Sequence, residues 1–361
     1  MEFSEDKIGI RQAMLFFMIS LGAPSLRIIP NYVARVVENA GWVSVFLAFA
    51  TSVLLILVLA SLFKRNNGSL YDIYEKVFGK IINKILISMY IIWAFVLASI
   101  YLRMFGERYL GTILFNANLA TILIFMAIFI YFLVNQKIDV LGRLSEILFF
   151  FFAAVFVFVF IVIVPQIELE NIWPVTVYDA LPIIKGVLPL DTLSCYITAV
   201  MFFGDKISDK HKLKKAGIIT MALLAMYAII LILSTIGIFG NKISSQFLFP
   251  YFITLKNIKI LNTIGRIESL FISTWLGTDA LIISLFTLMA LHLTRRLFNK
   301  KSYKKISIWF VLAILILAIF IAPNAYILEN FARIYASWIN ISLFMIMPLI
   351  ALIIGKIRKV I

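Results

Sequence analysis

Only a few charged side chains fall inside the long apolar runs of this sequence, and they are the ones able to do chemistry. Asp191 stands beside Thr192, with Ser194 close by, in the run 181–203. A charged carboxylate at mid-membrane depth costs about 2.5–3.5 kcal/mol on insertion scales and is tolerated where it faces a cavity or a partner. It could there pair with a substrate ammonium or take up a proton. The alternative is that Asp191 lies nearer the outer surface and caps the inner half of its helix. Arg27 follows Leu21-Gly22-Ala23-Pro24-Ser25 by two residues, and either reaches a carboxylate or extends its head outward to water. Glu268 and Asp279 are eleven residues apart, three turns along nearly one helix face, so either could line a polar path; Glu268 equally fits an outer-interface residue. Arg103 with Glu107, and Arg143 with Glu146, have helical spacings and read as structural pairs.

Groups for covalent or metal chemistry are sparse. Cys195 is the only cysteine, and His211 and His292 lie far apart. There is no phosphate-cradling GxxxxGK, no HExxH and no GxSxG. Neither an enzyme, nor a cofactor, nor a metal site is expected.

The elements that must position these residues are membrane spans. Of 361 residues 63% are hydrophobic and only 14% charged, against about 25% charged in a typical soluble domain. So few polar side chains cannot clothe a soluble fold, and lipid must be the solvent for most of the exterior. Apolar runs near the ~20 residues needed to cross a bilayer recur about ten times, with short polar connections between them. A surface-lying amphipathic stretch is expected at 70–82 and a long connection at 241–261.

The net charge of +15, from 33 Lys and Arg against 18 Asp and Glu, would suggest nucleic acid in a soluble protein. Here the bases cluster between spans, at Lys64 to Lys84, Lys206 to Lys215, Arg295 to Lys305 and Lys356 to Lys359. That is the positive-inside pattern, and it predicts both termini in the cytoplasm and an even number of spans. The acidic start, Met1 to Lys7, lacks the basic n-region of a signal peptide, so the first run is expected to remain as a span.

Two spans are interrupted. The first carries Leu21-Gly22-Ala23-Pro24-Ser25 near its middle, and the sixth carries Gly186 and Pro189-Leu190-Asp191-Thr192. Proline lacks an amide hydrogen, and glycine favours non-helical backbone. In hydrocarbon, freed backbone groups survive only around a cavity or inside protein. The amides of Gly22, Ala23 and Ser25 could hold an anionic group such as a substrate carboxylate, helped by the positive end of the following half-helix. A proline kink repaired by neighbouring helices is the plainer alternative. The two interrupted spans open halves of similar length, 1–165 and 177–361, each with an odd number of spans. That is the inverted-repeat plan of many secondary transporters, within one transmembrane domain.

Leu248-Phe249-Pro250, then Gly265-Arg266-Ile267-Glu268-Ser269-Leu270 and Trp275, resemble the spore-germination permeases, as does Glu38-Asn39-Ala40-Gly41-Trp42 after the first span. These are the B subunits of GerA-type germinant receptors, in the amino acid–polyamine–organocation superfamily. The resemblance implies an all-α, ten-helix fold of the leucine-transporter type with broken helices 1 and 6. It implies a sensor of a small nutrient germinant, typically an amino acid, in the spore inner membrane, with an A-type subunit and a C-type lipoprotein as partners. By superfamily analogy the ligand carboxylate meets Gly22 to Ser25, and the rest of the ligand faces Asp191 to Ser194. The first break reads Gly-Ala-Pro where active amino-acid transporters of the superfamily commonly have two glycines. The rival reading is a proton- or cation-coupled amino-acid permease with Asp191, Glu268 or Asp279 as the coupling site.

Overall fold

A chain in lipid must satisfy its backbone groups internally, so its apolar runs become helices. The computed structural model describes residues 7–64, 66–257 and 267–360, with side chains in the last segment from residue 272 onward. The first span is α1 (Ile10–Ser20) and α2 (Gly22–Val37), bent by 50° at the break. Next come α3 (Ser44–Phe63), the short α4 (Leu70–Phe78), α5 (Lys80–Thr112), α6 (Leu119–Val134) and α7 (Ile138–Ile163). The sixth span is built from α8 (Ala180–Lys185), α9 (Val187–Ser194) and α10 (Ile197–Met201). Then follow α11 (Leu213–Gln246), α12 (Pro250–Asn257), α13 (Ile267–Leu297) and α14 (Lys304–Phe320). The last span joins α15 (Ala325–Phe331), α16 (Ser337–Asn340) and α17 (Met347–Ile357) through the π-helical stretches Ala332–Ala336 and Ile341–Ile346.

Seven of these helical segments are long and apolar enough to cross a membrane, and the bent first pair makes eight. The 16-residue α6 and the 17-residue α14 complete the ten expected spans. In α13, 89% of the most apolar window is buried, against 22% in α7. The eighth span is therefore a central post, packed chiefly on α5, while the fifth is a lipid-facing wall. Exposed Phe125, Ile147, Phe150 and Ile161 form part of that lipid surface, which accounts for the apolar composition.

Several boundaries differ from the sequence expectation, among them the end of the seventh span, which runs to Gln246 across a kink at Gly240 (φ +69°). The connection at 241–261 contains α12, which starts on Pro250, where a missing amide costs nothing. The amphipathic stretch at 70–82 ends as a helix at Phe78, because Gly79 takes φ +82°; its Leu70, Ile73, Tyr74 and Val77 are buried in the protein. The tenth span starts at Ala325 rather than near Phe331, because the Asn324 side chain accepts from the Ile327 amide at 3.0 Å and caps the helix there. That extra turn draws Glu329 inside.

Candidate functional site

The first span breaks where its sequence says it should, but it bends instead of unwinding. Pro24 has no N–H for the Ser20 carbonyl four residues back, and its ring crowds that carbonyl. Leu21 alone forms the turn, its amide reaching Met18 O at 3.1 Å, while Ser25 N already returns to Leu21 O at 2.9 Å. Gly22, Ala23, Pro24 and Ser25 are thus the first turn of α2. Gly22 is needed for close approach: a Cβ there would sit 2.9 Å from Thr278 Cγ2 on α13. The neighbours serve the bend on its carbonyl side. Tyr227 of α11 donates its hydroxyl to Gly22 O at 2.9 Å, and Arg108 of α5 donates to Ala23 O at 3.4 Å.

The sixth span is segmented by its prolines. Pro189 cannot serve the Lys185 carbonyl, so α8 ends at Lys185 and Gly186 makes the turn. A Cβ on Gly186 would run into Ser44 and Val37. Pro189, Leu190, Asp191 and Thr192 were expected to be a break; they are instead helical, within α9. Pro189 falls in the first turn of that helix, where its amide has no intrahelical partner. The deeper interruption is at Cys195-Tyr196, which carries neither glycine nor proline. Here the backbone tightens to three-residue bonds, Tyr196 N to Leu193 O at 3.2 Å and Ala199 N to Tyr196 O at 3.0 Å. This turn presents Tyr196, whose hydroxyl accepts from Tyr101 at 3.0 Å and from Asn340 Nδ2 at 2.7 Å. Trp93 Nε1 donates to Asn340 Oδ1 at 2.8 Å. Tyr101 and Arg108 are seven residues apart on α5 and share a face. One face of α5 therefore meets both interruptions.

Two buried ion pairs flank the first bend. Arg108 bonds the carboxylate of Asp279 on α13, with its guanidinium 5.0 Å over the Trp275 ring. Arg27 bonds Glu329 of the tenth span, Nε to Oε2 at 2.8 Å, and lies 5.7 Å over the Phe249 ring. Tyr32 donates to the Glu329 backbone carbonyl at 3.2 Å. All four charged side chains are nearly fully buried. Among the described residues, Ser25 Oγ, Arg27 Nη1, Arg108 Nε and Glu329 Oε1 have no hydrogen-bond partner.

The sequence-selected residues thus divide into two groups. Leu21, Gly22, Ala23, Pro24, Ser25, Arg27 and Asp279 come together around the first bend. Asp191, Thr192 and Ser194 do not join them. Asp191 accepts from Thr51 Oγ1 on α3, 2.8 Å to each oxygen; Ser194 pairs with Ser52 at 2.9 Å; and Thr192 donates back to Leu188 O at 2.8 Å. The cavities beside the two groups are separate. One of about 140 Å³, with Gly22, Phe152 and Tyr227 in its wall, opens between α1, α7 and α11. Ser194, with Leu190 and Leu193, instead lines a space of about 20 Å³ against Ile29 of α2 and Ser52 of α3. The side chain of Glu268, and the Gly265-Arg266 part of its motif, lie outside the described residues.

Arg103 pairs with Glu107 at 2.8 Å, as its spacing predicts. Arg143 turns instead to Asp139 at 3.3 Å, and Glu146 accepts from Gln12 at 3.3 Å. Arg108 and Glu329 were missed. Arg108 directly follows the Arg103–Glu107 pair near the end of its span, and Glu329 precedes the residue at which the tenth span was expected to start. A count of charges within one turn of each span boundary would have found both.

The family described as "Spore germination protein" matches residues 8–327. The chain is 23% identical over 323 residues to Spore germination protein KB of Bacillus subtilis (strain 168), covering 88% of this chain and 86% of that protein. It is also 23% identical over 280 residues to the Putative spore germination protein YfkT of the same organism, covering 75% of each. Among solved structures, MhsT in complex with L-phenylalanine superposes with a TM-score of 0.65, covering 98% of this chain and 99% of that one at 15% identity. The likeness establishes a leucine-transporter-type fold, as the family resemblance implied.

Proposed function

The chain belongs to the spore germination protein family, and from that premise we propose that it is the membrane subunit of a germinant receptor, binding a small nutrient, an amino acid by preference, beside the bend of the first span. The observation that carries this reading is the set of buried polar atoms at the bend left without a partner among the described residues: Ser25 Oγ, Arg27 Nη1, Arg108 Nε and Glu329 Oε1. Each such atom, left unsatisfied, costs about 1–3 kcal/mol. Guanidinium donors suit a carboxylate, and the Glu329 oxygen suits an ammonium, so the set complements a zwitterion. In this reading Gly22 to Ser25 and Arg27 line the carboxylate end, and the turn at Cys195-Tyr196 takes the contact first assigned to Asp191, Thr192 and Ser194. L-Phenylalanine in the MhsT complex supports an amino acid as the ligand class.

Ligand entry would separate the two ion pairs and shift the balance between two packings of spans 1, 6 and 10. A-type and C-type receptor subunits in the spore inner membrane would read that shift. We take residues 1–165 and 177–361 as the two inverted repeats, with both termini cytoplasmic by the positive-inside distribution. The test is a thermal-shift panel of amino acids, sugars and nucleosides on purified protein, paired with germination of spores carrying Gly22→Val or Ala23→Leu. Loss of the response at normal protein level supports the site; normal germination of both variants refutes it.

A second reading, a proton- or cation-coupled amino-acid permease, draws on Asp191. Its carboxylate is buried in the sixth span against the hydroxyl of Thr51, a setting suited to taking up a proton. Asp279, the other candidate in reach, is engaged by Arg108. Uptake of labelled amino acid by proteoliposomes holding this chain alone would favour the permease.

A further inference from the structure

A basic cavity of about 850 Å³ lies at the inner ends of the spans, away from the bend. Its rim carries Lys7, Lys64, Lys210, His211 and Lys214, drawn from the start of the chain, the end of α3 and the connection into α11. The rim is fixed by its backbone. Ile8 pairs with the 206–208 strand-like segment, Ile8 N to Lys206 O and Ser208 N to Ile8 O, both at 2.9 Å. Lys210 is anchored on the carbonyls of Asn67 and Gly68, with its ammonium 5.5 Å over the Phe63 ring. Among the described residues two acids also line the cavity: Asp209 pairs with Lys212 at 3.6 Å, and Asp205 lies 3.6 Å from the buried His292 without a hydrogen bond to it. Four lysines against two carboxylates in the lining set the sign of the field inside.

The floor gives the shape of the occupant. Leu57, Ala60 and Ser61 line it below Lys64. These four positions, spaced three, four and seven residues from the first, form one stripe of α3. The stripe runs from the charged helix end two turns into the apolar zone, with Phe63 in the wall beside it. A ligand filling this cavity meets cations at the top and a greasy half-buried face below.

We propose that this cavity binds the phosphate-bearing headgroup of an anionic membrane lipid, with an acyl chain lying along the Leu57–Ser61 stripe of α3. A lipid is favoured over a free anion because the cavity continues into the depth of the hydrocarbon, where inorganic phosphate gains nothing. A bound lipid would tie together the entry to α1, the end of α3 and the entry to α11, three segments from both halves of the chain.

The full-length protein is placed in nanodiscs of phosphatidylcholine alone or of equal parts phosphatidylcholine and phosphatidylglycerol. Retained lipid is then measured by native mass spectrometry on release into detergent. Phosphatidylglycerol is expected to be retained in preference to phosphatidylcholine. The double variant Lys64→Gln/Lys214→Gln, which alters exposed heads and spares the Lys210 anchor, should weaken retention about fivefold per lysine removed. Lys356→Gln/Lys359→Gln changes net charge equally at the far C-terminus and should leave retention unchanged. Added inorganic phosphate should fail to displace the lipid; if instead it binds in the lipid's place with the same lysine dependence, the phosphate site stands and its source is a free anion. Equal losses in both double variants, or no preference for phosphatidylglycerol, would overturn the proposal.

Discussion

Replacing Asp279 by Asn should destabilise the protein by about 3–5 kcal/mol, because it strands a buried guanidinium. The Asn oxygen can still accept from Arg108 but carries no charge; the Ala23 carbonyl at 3.4 Å and the Trp275 face at 5.0 Å exist before and after the change, so neither offsets the lost counter-charge. Arg108→Met should cost a similar amount by stranding the carboxylate. The double variant Arg108→Met/Asp279→Leu removes both charges and should recover most of the stability, since apolar replacement of a buried pair is commonly neutral. The coupling energy from this cycle should exceed about 2 kcal/mol. It is measured by denaturant titration in micelles, followed by tryptophan fluorescence. The same variant tests the ligand site: an added amino acid brings its own carboxylate to Arg108, so its stabilising shift should be larger in Asp279→Asn than in the unaltered protein. Single variants that lose under about 1 kcal/mol, or a double variant that loses the sum of the singles, would show that the pair is not electrostatically buried and would refute the reasoning.

Three further outcomes follow from separate contacts. Gly22→Ala forces a Cβ to 2.9 Å from Thr278 Cγ2 and should cost about 1–3 kcal/mol by overpacking; Thr278→Ser deletes that methyl and should return part of the loss in the same unfolding assay. Burial pushes the Asp72 carboxyl up, but the Ser69 amide and Arg296 outweigh it and leave it below its ordinary value of 3.8. A depressed carboxylate stabilises fully above the ordinary value and loses that contribution as pH falls through the lowered one. The melting temperature should therefore drop on acidification below about pH 4, and Asp72→Asn should be less stable at neutral pH and lack that acid limb. Asp191→Asn keeps the hydrogen bond with Thr51 and should change stability by under about 1 kcal/mol. If the chain is a proton-coupled permease, the same variant should abolish the pH dependence of uptake; pH-dependent uptake that survives it rules Asp191 out as the coupling group.

Much of the architecture was legible in the residues. Lipid imposes helices on apolar runs, so composition and spacing alone yielded an all-α chain of about ten spans. Pro24 fixed the first break because the missing amide acts on its own helix, four residues back. Arg103 and Glu107 could be paired from spacing, because an i, i+4 contact lies within one helix. Wherever a contact crossed between helices, this kind of inference stopped. Nothing local in Cys195-Tyr196 marks a turn; it is held by packing against Tyr101 and Asn340, which are distant in sequence. Asp191 had the composition of a site residue, but the rotation of α9 sends it to Thr51 and away from the first bend. Arg108 and Glu329 became visible as partners of Asp279 and Arg27 only once helices from opposite ends of the chain were laid side by side. The sequence determined the solvent, the helices and the proline break, which depend on neighbours along the chain. Tertiary structure alone decided which charges meet, because a buried ion needs a partner in space and sequence separation places no limit on where that partner comes from.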